Sequence, residues 1–150
     1  MNNQLLEQVL EIAAAAGRAA MEHYGSDAPV EYKEDNSPLT LADKAAHFVI
    51  VNSLQVLDPW LPVLSEESDK EEIADRKSWH DFWVVDPLDG SKEFIKQSGQ
   101  FTVNIARVQG DEPVLGVVHA PATGEYYCLL YTSDAADDTP CVDLGGRRII

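Results

Sequence analysis

Apolar positions in the first 60 residues recur at helical spacing. Over residues 3 to 24, Leu5, Leu6, Val9, Ile12, Ala13, Ala16 and Ala20 fall on one face, and Gly25 follows as a stop. Residues 27 to 38 are polar and turn-rich, with a short strand predicted at residues 30 to 33. A second helix is predicted from Thr40 to Leu57, its stripe formed by Ala42, Ala45, Ala46, Val49, Ile50 and Leu54. Thr40 suits its N-cap, with Asp43 at capping-box spacing. The period then shortens. Strands are predicted at residues 61 to 64, ending at Ser65, and at 82 to 85, separated by an acidic solvated loop over 68 to 80. A helical turn is predicted from Ser91 to Ile95. The segments FTVNIARV (101 to 108) and VLGVVH (114 to 119) alternate as two antiparallel strands joined by QGDEP, and Tyr126 and Tyr127 begin another strand. The expected class is α+β, two long helices layered on an antiparallel meander.

The charge narrows the ligand. The 150 residues carry a formal net charge of -15, which repels nucleic-acid backbones and acidic membrane surfaces. An anionic ligand then requires something local to reverse the field, and a metal ion is the natural candidate. No stretch has the length of a membrane span and the N-terminus lacks a secretory pattern. The expected location is cytoplasmic, with a peripheral place at the inner membrane compatible with it.

Residues 128 to 150, CLLYTSDAADDTPCVDLGGRRII, resemble a translated sequencing adapter read in a single frame. The expected division is therefore a domain over 1 to 127 and a foreign tail over 128 to 150. On that division both cysteines, Cys128 and Cys141, fall in the tail. The tail holds four aspartates and two arginines, so the remainder carries -13. Cys128 to Tyr131 are apolar enough to prolong the last strand, and the composition beyond predicts a loosely held segment.

The chemistry concentrates in WVVDPLDGSKEFI, residues 83 to 95. Pro87 has no N–H to donate and is expected to end the strand pairing. Gly90 permits a tight turn, around which Asp86 and Asp89 can converge, with the Leu88 carbonyl as a third hard oxygen. Converging carboxylates repel unless a cation lies between them, and such oxygens suit Mg²⁺. Ser91 opens a helical turn, whose backbone N–H groups favour an anion. A capped, solvated turn explains the same residues without a ligand. The D-x-D-G-T pattern of haloacid-dehalogenase phosphatases is one residue shorter, and the calcium loop of an EF-hand lacks its counterparts here. LSEES (64 to 68) brings Glu66 to a second strand end, or is part of an acidic surface run. SPLTLAD (37 to 43) brings Asp43 to a helix start, where an acid is also favoured by the macrodipole.

Taken in order, DNSPLTLAD (35 to 43), LSEES, DPLDGSKEFI (86 to 95) and FTVNIA (101 to 106) resemble the inositol-monophosphatase superfamily, over essentially residues 1 to 127. The KEFI ending is most similar to its 3′(2′),5′-bisphosphate nucleotidase branch. The resemblance implies the N-terminal half of the sugar-phosphatase fold and two or three Mg²⁺ ions held by Glu66, Asp86, the Leu88 carbonyl and Asp89. It also implies a water-activating pair, Asp43 with Ser91, and a substrate site at Glu66, Leu88, Asp89, Gly90 and Ser91. The implied reaction hydrolyses a phosphomonoester of a small nucleotide, adenosine 3′,5′-bisphosphate to AMP and phosphate. Two departures are visible. Ser91 stands where the family usually has threonine, and the family's C-terminal half, with a further metal-binding aspartate and most of the nucleoside pocket, is missing. An inositol or sugar monophosphatase and a metal-binding, non-catalytic fragment are the alternatives. Oligomeric state is left open. His23, His47, His80 and His119 show no ligand spacing and are read as structural or surface residues, and Trp79, His80 and Asp81 as a loop on the core edge.

Overall fold

The computed structural model describes residues 3–131. Helix α1 (Asn3–Met21) and helix α2 (Leu41–Leu57) lie against one face of a five-stranded sheet. A small ribbon, β1 (Glu31–Tyr32) with β2 (Pro38–Leu39), links them. The sheet has the order β3 (Val63–Ser65), β4 (Asp81–Asp89), β5 (Thr102–Gln109), β6 (Glu112–Ala120), β7 (Glu125–Leu130). The four strands β4 to β7 form the expected antiparallel meander, but β3 runs parallel to β4. A parallel neighbour needs a crossover, and the acidic segment 66 to 80 supplies it, with one 3₁₀ turn at Arg76–Ser78. The segment beyond Tyr131 lies outside the described residues.

The helical stripe predicts the core well. Leu6, Val9, Ala13, Ala16 and Ala20 of α1 and Ala42, Ala46, Ile50 and Leu54 of α2 are buried against Trp83, Val85, Val103, Ile105, Leu115 and Val117. Small residues let the layers approach closely. A Cβ added at Gly17 would stand 2.7 Å from the His119 ring, and that ring is buried, stacked on Tyr126 at 4.1 Å. Tyr24, Phe94 and Phe101 form a three-ring cluster with centroids 4.9 to 5.6 Å apart, each pair contributing about 0.5–1.5 kcal/mol beyond burial. This cluster fixes the short helix α3 (Ser91–Ile95) to the end of α1.

Two expectations change and one holds. The QGDEP turn shrinks to Gly110 and Asp111, because Gly110 adopts φ 61 and lets Gln109 pair with Glu112. Cys128 to Leu130 are part of β7, as their apolarity predicts. Asp81 is not in a loop: it opens β4, where both of its carboxylate oxygens accept from Arg107, at 2.9 and 2.7 Å. Gln109 adds a third bond at 2.9 Å, and the Arg107 guanidinium lies over Trp83 at 6.0 Å.

The Arg107 hydrogen bonds hold the Asp81 carboxyl below its ordinary pKa. Its contribution to stability is therefore present above the unfolded-state value and is lost as pH falls through the lower folded-state value. Asp81→Asn is expected to cost about 1 kcal/mol at neutral pH. Urea melts should show that difference shrinking as the pH is lowered into the acid range.

The sheet's other face is open. Leu64, Val84, Ala106, Gly116 and Val118 line a groove of about 600 Å³ on it, and Tyr127 and Leu129, alternate residues of β7, are 39% and 47% exposed.

Candidate active site

The site begins with a bulge. Asp86 pairs with Asn104 and Asp89 with Thr102, so three steps on β4 match two on β5. Two side chains three apart on a straight strand point to opposite faces. One inserted residue cancels that and turns both to the same side. Asn104 Nδ2 donates to Asp89 Oδ2 at 3.3 Å from its place opposite Asp86. Pro87 therefore does not end the strand. It sits within the bulge, where the ladder does not require its missing N–H, and pairing resumes at Asp89. Gly90 follows at φ 93, where a Cβ would stand 2.9 Å from the Gln100 carbonyl oxygen. Only glycine makes this turn without strain.

Ser91 is the first residue of α3 rather than its cap. Its hydroxyl donates to Asp43 Oδ1 at 2.7 Å, with the Leu88 carbonyl 3.3 Å away. Asp43 is 1% exposed, and its other oxygen accepts from the Thr40 N–H at 2.7 Å and the Thr40 hydroxyl at 2.5 Å. The capping box expected from the sequence is thus also the clamp that aims Asp43 at Ser91.

Glu66 follows β3, its N–H bonded to the Val85 carbonyl at 3.0 Å. This brings it beside Asp86. Burial, then the Glu66 side chain, then the charge of Asp89 raise the Asp86 carboxyl from 3.8 to about 7. Asp86 Oδ1 and Asn104 Oδ1 are buried without hydrogen-bond partners. A cavity of about 310 Å³ joins Glu66, Asp86, Leu88, Asp89, Gly90 and Ser91 with Lys33. Among the described residues no three His, Cys, Asp or Glu side chains are gathered closely enough to hold one ion by themselves. The match to a hard divalent cation lies in the donor chemistry: clustered carboxylates, one with an orphaned buried oxygen, beside a backbone carbonyl.

Lys33, Glu67, Asn104 and the contact between His47 and Ser65 carry no functional signal of their own in the sequence. Lys33 Nζ lies 2.7 Å from Glu67 Oε1 and 3.6 Å from Glu66 Oε1. Burial opposes the Lys33 ammonium, but the Glu67 and Glu66 carboxylates outweigh it and hold its pKa above the ordinary value. Burial raises the Glu67 carboxyl, and Lys33 offsets this only in part. At 2.7 Å we read the pair as ionised. Glu67 could have been found as the neighbour of Glu66. Asn104 needed the bulge to be recognised, and nothing local marks Lys33.

Residues 1–132 match the Inositol monophosphatase family, and the chain belongs to that family. It is 52% identical over 125 residues to the 3′(2′),5′-bisphosphate nucleotidase CysQ of Salmonella typhimurium, covering 82% of this chain and 50% of that protein. Its identity to the CysQ of Escherichia coli is 50% with the same coverage. Among solved structures, CysQ from Bacteroides thetaiotaomicron is 42% identical with a TM-score of 0.71, covering 87% of this chain and 47% of that one. A Thermotoga maritima IMPase is 26% identical with a TM-score of 0.77, covering 96% and 52%. The chain spans about half the length of the curated relatives it matches. Among the described residues no helix is long and apolar enough to cross a membrane.

Proposed function

We propose that this chain is the carboxylate-bearing half of a Mg²⁺-dependent phosphomonoester hydrolase, acting on 3′(2′),5′-bisphosphate nucleotides and converting adenosine 3′,5′-bisphosphate to AMP and phosphate. The observation that carries the reading is the contact of the Ser91 hydroxyl with the buried Asp43 carboxylate, set beside Glu66, Asp86 and Asp89. The names of the relatives at 50 and 52% identity support the nucleotide substrate. Assaying a completed chain against adenosine 3′,5′-bisphosphate and an inositol monophosphate tests it. Faster turnover of the inositol phosphate would favour the other substrate class.

Glu66, Asp86, the Leu88 carbonyl and Asp89 would hold magnesium, which supplies charge neutralisation at the phosphoryl oxygens and acidifies water. Ser91 spends its one proton on Asp43, so its lone pairs are free to accept a proton from a water at the cavity wall. Asp43 has both oxygens occupied and cannot swing away. The pair thus orients an attacking water: as the water's proton moves to Ser91 Oγ, the Ser91 proton passes along its 2.7 Å bond to Asp43 Oδ1, which is the base. The open sheet face and the half-length match lead us to propose that this chain alone does not turn over substrate.

The Asp86 carboxyl sets a pH dependence. Its folded value of about 7 lies above the ordinary 3.8, so between these values the folded chain holds a proton the unfolded chain has lost. Without metal, stability falls as pH rises through this window. Cation binding must expel that proton. Titration calorimetry should show the Mg²⁺ affinity rising about tenfold from pH 6 to pH 8, with proton release at the lower pH. A pH-independent affinity would contradict the assignment of Asp86.

A further inference from the structure

We propose that His47 is a positioning residue for Glu66, acting through Ser65; the proposal deepens, and rests on, the reading of Glu66 as a metal ligand. Asp43 and His47 lie one helical turn apart on α2, on the same face. Asp43 reaches forward to Ser91 on α3. His47 Nδ1 lies 2.8 Å from Ser65 Oγ at the end of β3. One helix thus grips the two chain segments that bring the carboxylates together.

Ser65 is 2% exposed, so every polar atom of its side chain needs a partner. Its Oγ accepts the Glu67 N–H at 3.3 Å. If His47 Nδ1 also donated, the hydroxyl proton would be left without an acceptor. The balance is met when Ser65 donates to Nδ1 and the ring carries its proton on Nε2. The Ser65 carbonyl accepts the Ser68 N–H at 3.1 Å, and the Glu66 N–H is held by Val85. The backbone on both sides of Glu66 is therefore fixed, while its side chain is 53% exposed toward the cavity. His47 is the part of this arrangement that comes from another layer. It locks the Ser65 rotamer, and with it the turn from which Glu66 projects. A ligand held this way loses its aim, not its charge, when the outer partner is removed.

The test uses this chain with Mg²⁺ alone, read by titration calorimetry, together with amide hydrogen exchange at Glu66 and Glu67. His47→Val is expected to raise the Mg²⁺ Kd about tenfold. His47→Asn, whose side-chain oxygen can stand where Nδ1 stands, should recover most of that loss. Ser65→Ala should weaken binding as His47→Val does, and the double variant should be no worse than either single one, because both act through one contact. A purely structural role would lower thermal stability and leave the Mg²⁺ Kd unchanged, which overturns the proposal. Should His47→Val not fold, Ser65→Ala and His47→Asn carry the same comparison. Failure of the wild-type chain to bind Mg²⁺ would refute the metal reading, and hydrogen exchange would then decide the positioning: faster exchange at Glu67 than elsewhere in Ser65→Ala and His47→Val supports it, and unchanged exchange overturns it.

Discussion

Asp89→Asn, made in this chain completed with the half of the Salmonella typhimurium relative that it does not match, is expected to reduce phosphate release by a factor on the order of 10²–10³ with little loss of fold. The amide keeps the carboxylate's shape and removes its charge. Asp89 lies at the exposed end of β4 beyond the bulge, and among the described residues its side chain accepts from Asn104. Its bond to Asn104 is long and exposed, and losing its repulsion of Asp86 costs nothing, so a thermal melt should move by only a degree or two. The effect should not be recovered at saturating Mg²⁺, because a neutral amide would hold the cation less firmly where it neutralises the phosphoryl oxygens. Near-normal turnover at high Mg²⁺ would remove Asp89 from the ligand set.

The second large effect is expected at Ser91. Ser91→Ala removes the group between Asp43 and the cavity, and should lower turnover by about 10²–10⁴. It should also leave the Asp43 Oδ1 lone pairs without their 2.7 Å donor, so a modest loss of stability is expected with it. Ser91→Thr keeps the hydroxyl and adds a methyl that restricts χ1. Its activity should equal or exceed that of the wild type. Equal activity in all three would reduce Ser91 to a residue that merely starts a helix.

The helices were legible because each has one apolar stripe and one set of stops. Leu6, Val9, Ala13 and Ala16 are buried where the period of 3.6 puts them. Asp43 was legible twice over, as a capping-box acid and as a motif residue, and the structure shows why both hold: one oxygen caps and the other reaches Ser91. The convergence of Asp86 and Asp89 was expected from a turn at Gly90. It comes instead from a bulge at Pro87 and Leu88 that the pattern of side chains does not reveal. The parallel placement of β3 was not legible either, because strand direction depends on the crossover and not on the three residues that pair. His47 has no ligand spacing and reads in the sequence as a structural or surface residue. Its contact crosses from helix to strand over 18 residues, a distance at which local pattern carries no information. Lys33 is the same case, 34 residues from Glu67.

The most direct test of the account is phosphate release from adenosine 3′,5′-bisphosphate with Mg²⁺, measured for this chain alone and for the chain completed with the unmatched half of the Salmonella typhimurium relative. The chain alone should show no turnover, the completed protein should turn over substrate, and Asp89→Asn should abolish that turnover. Robust turnover by the purified chain alone, or none from a folded completed protein, would contradict it.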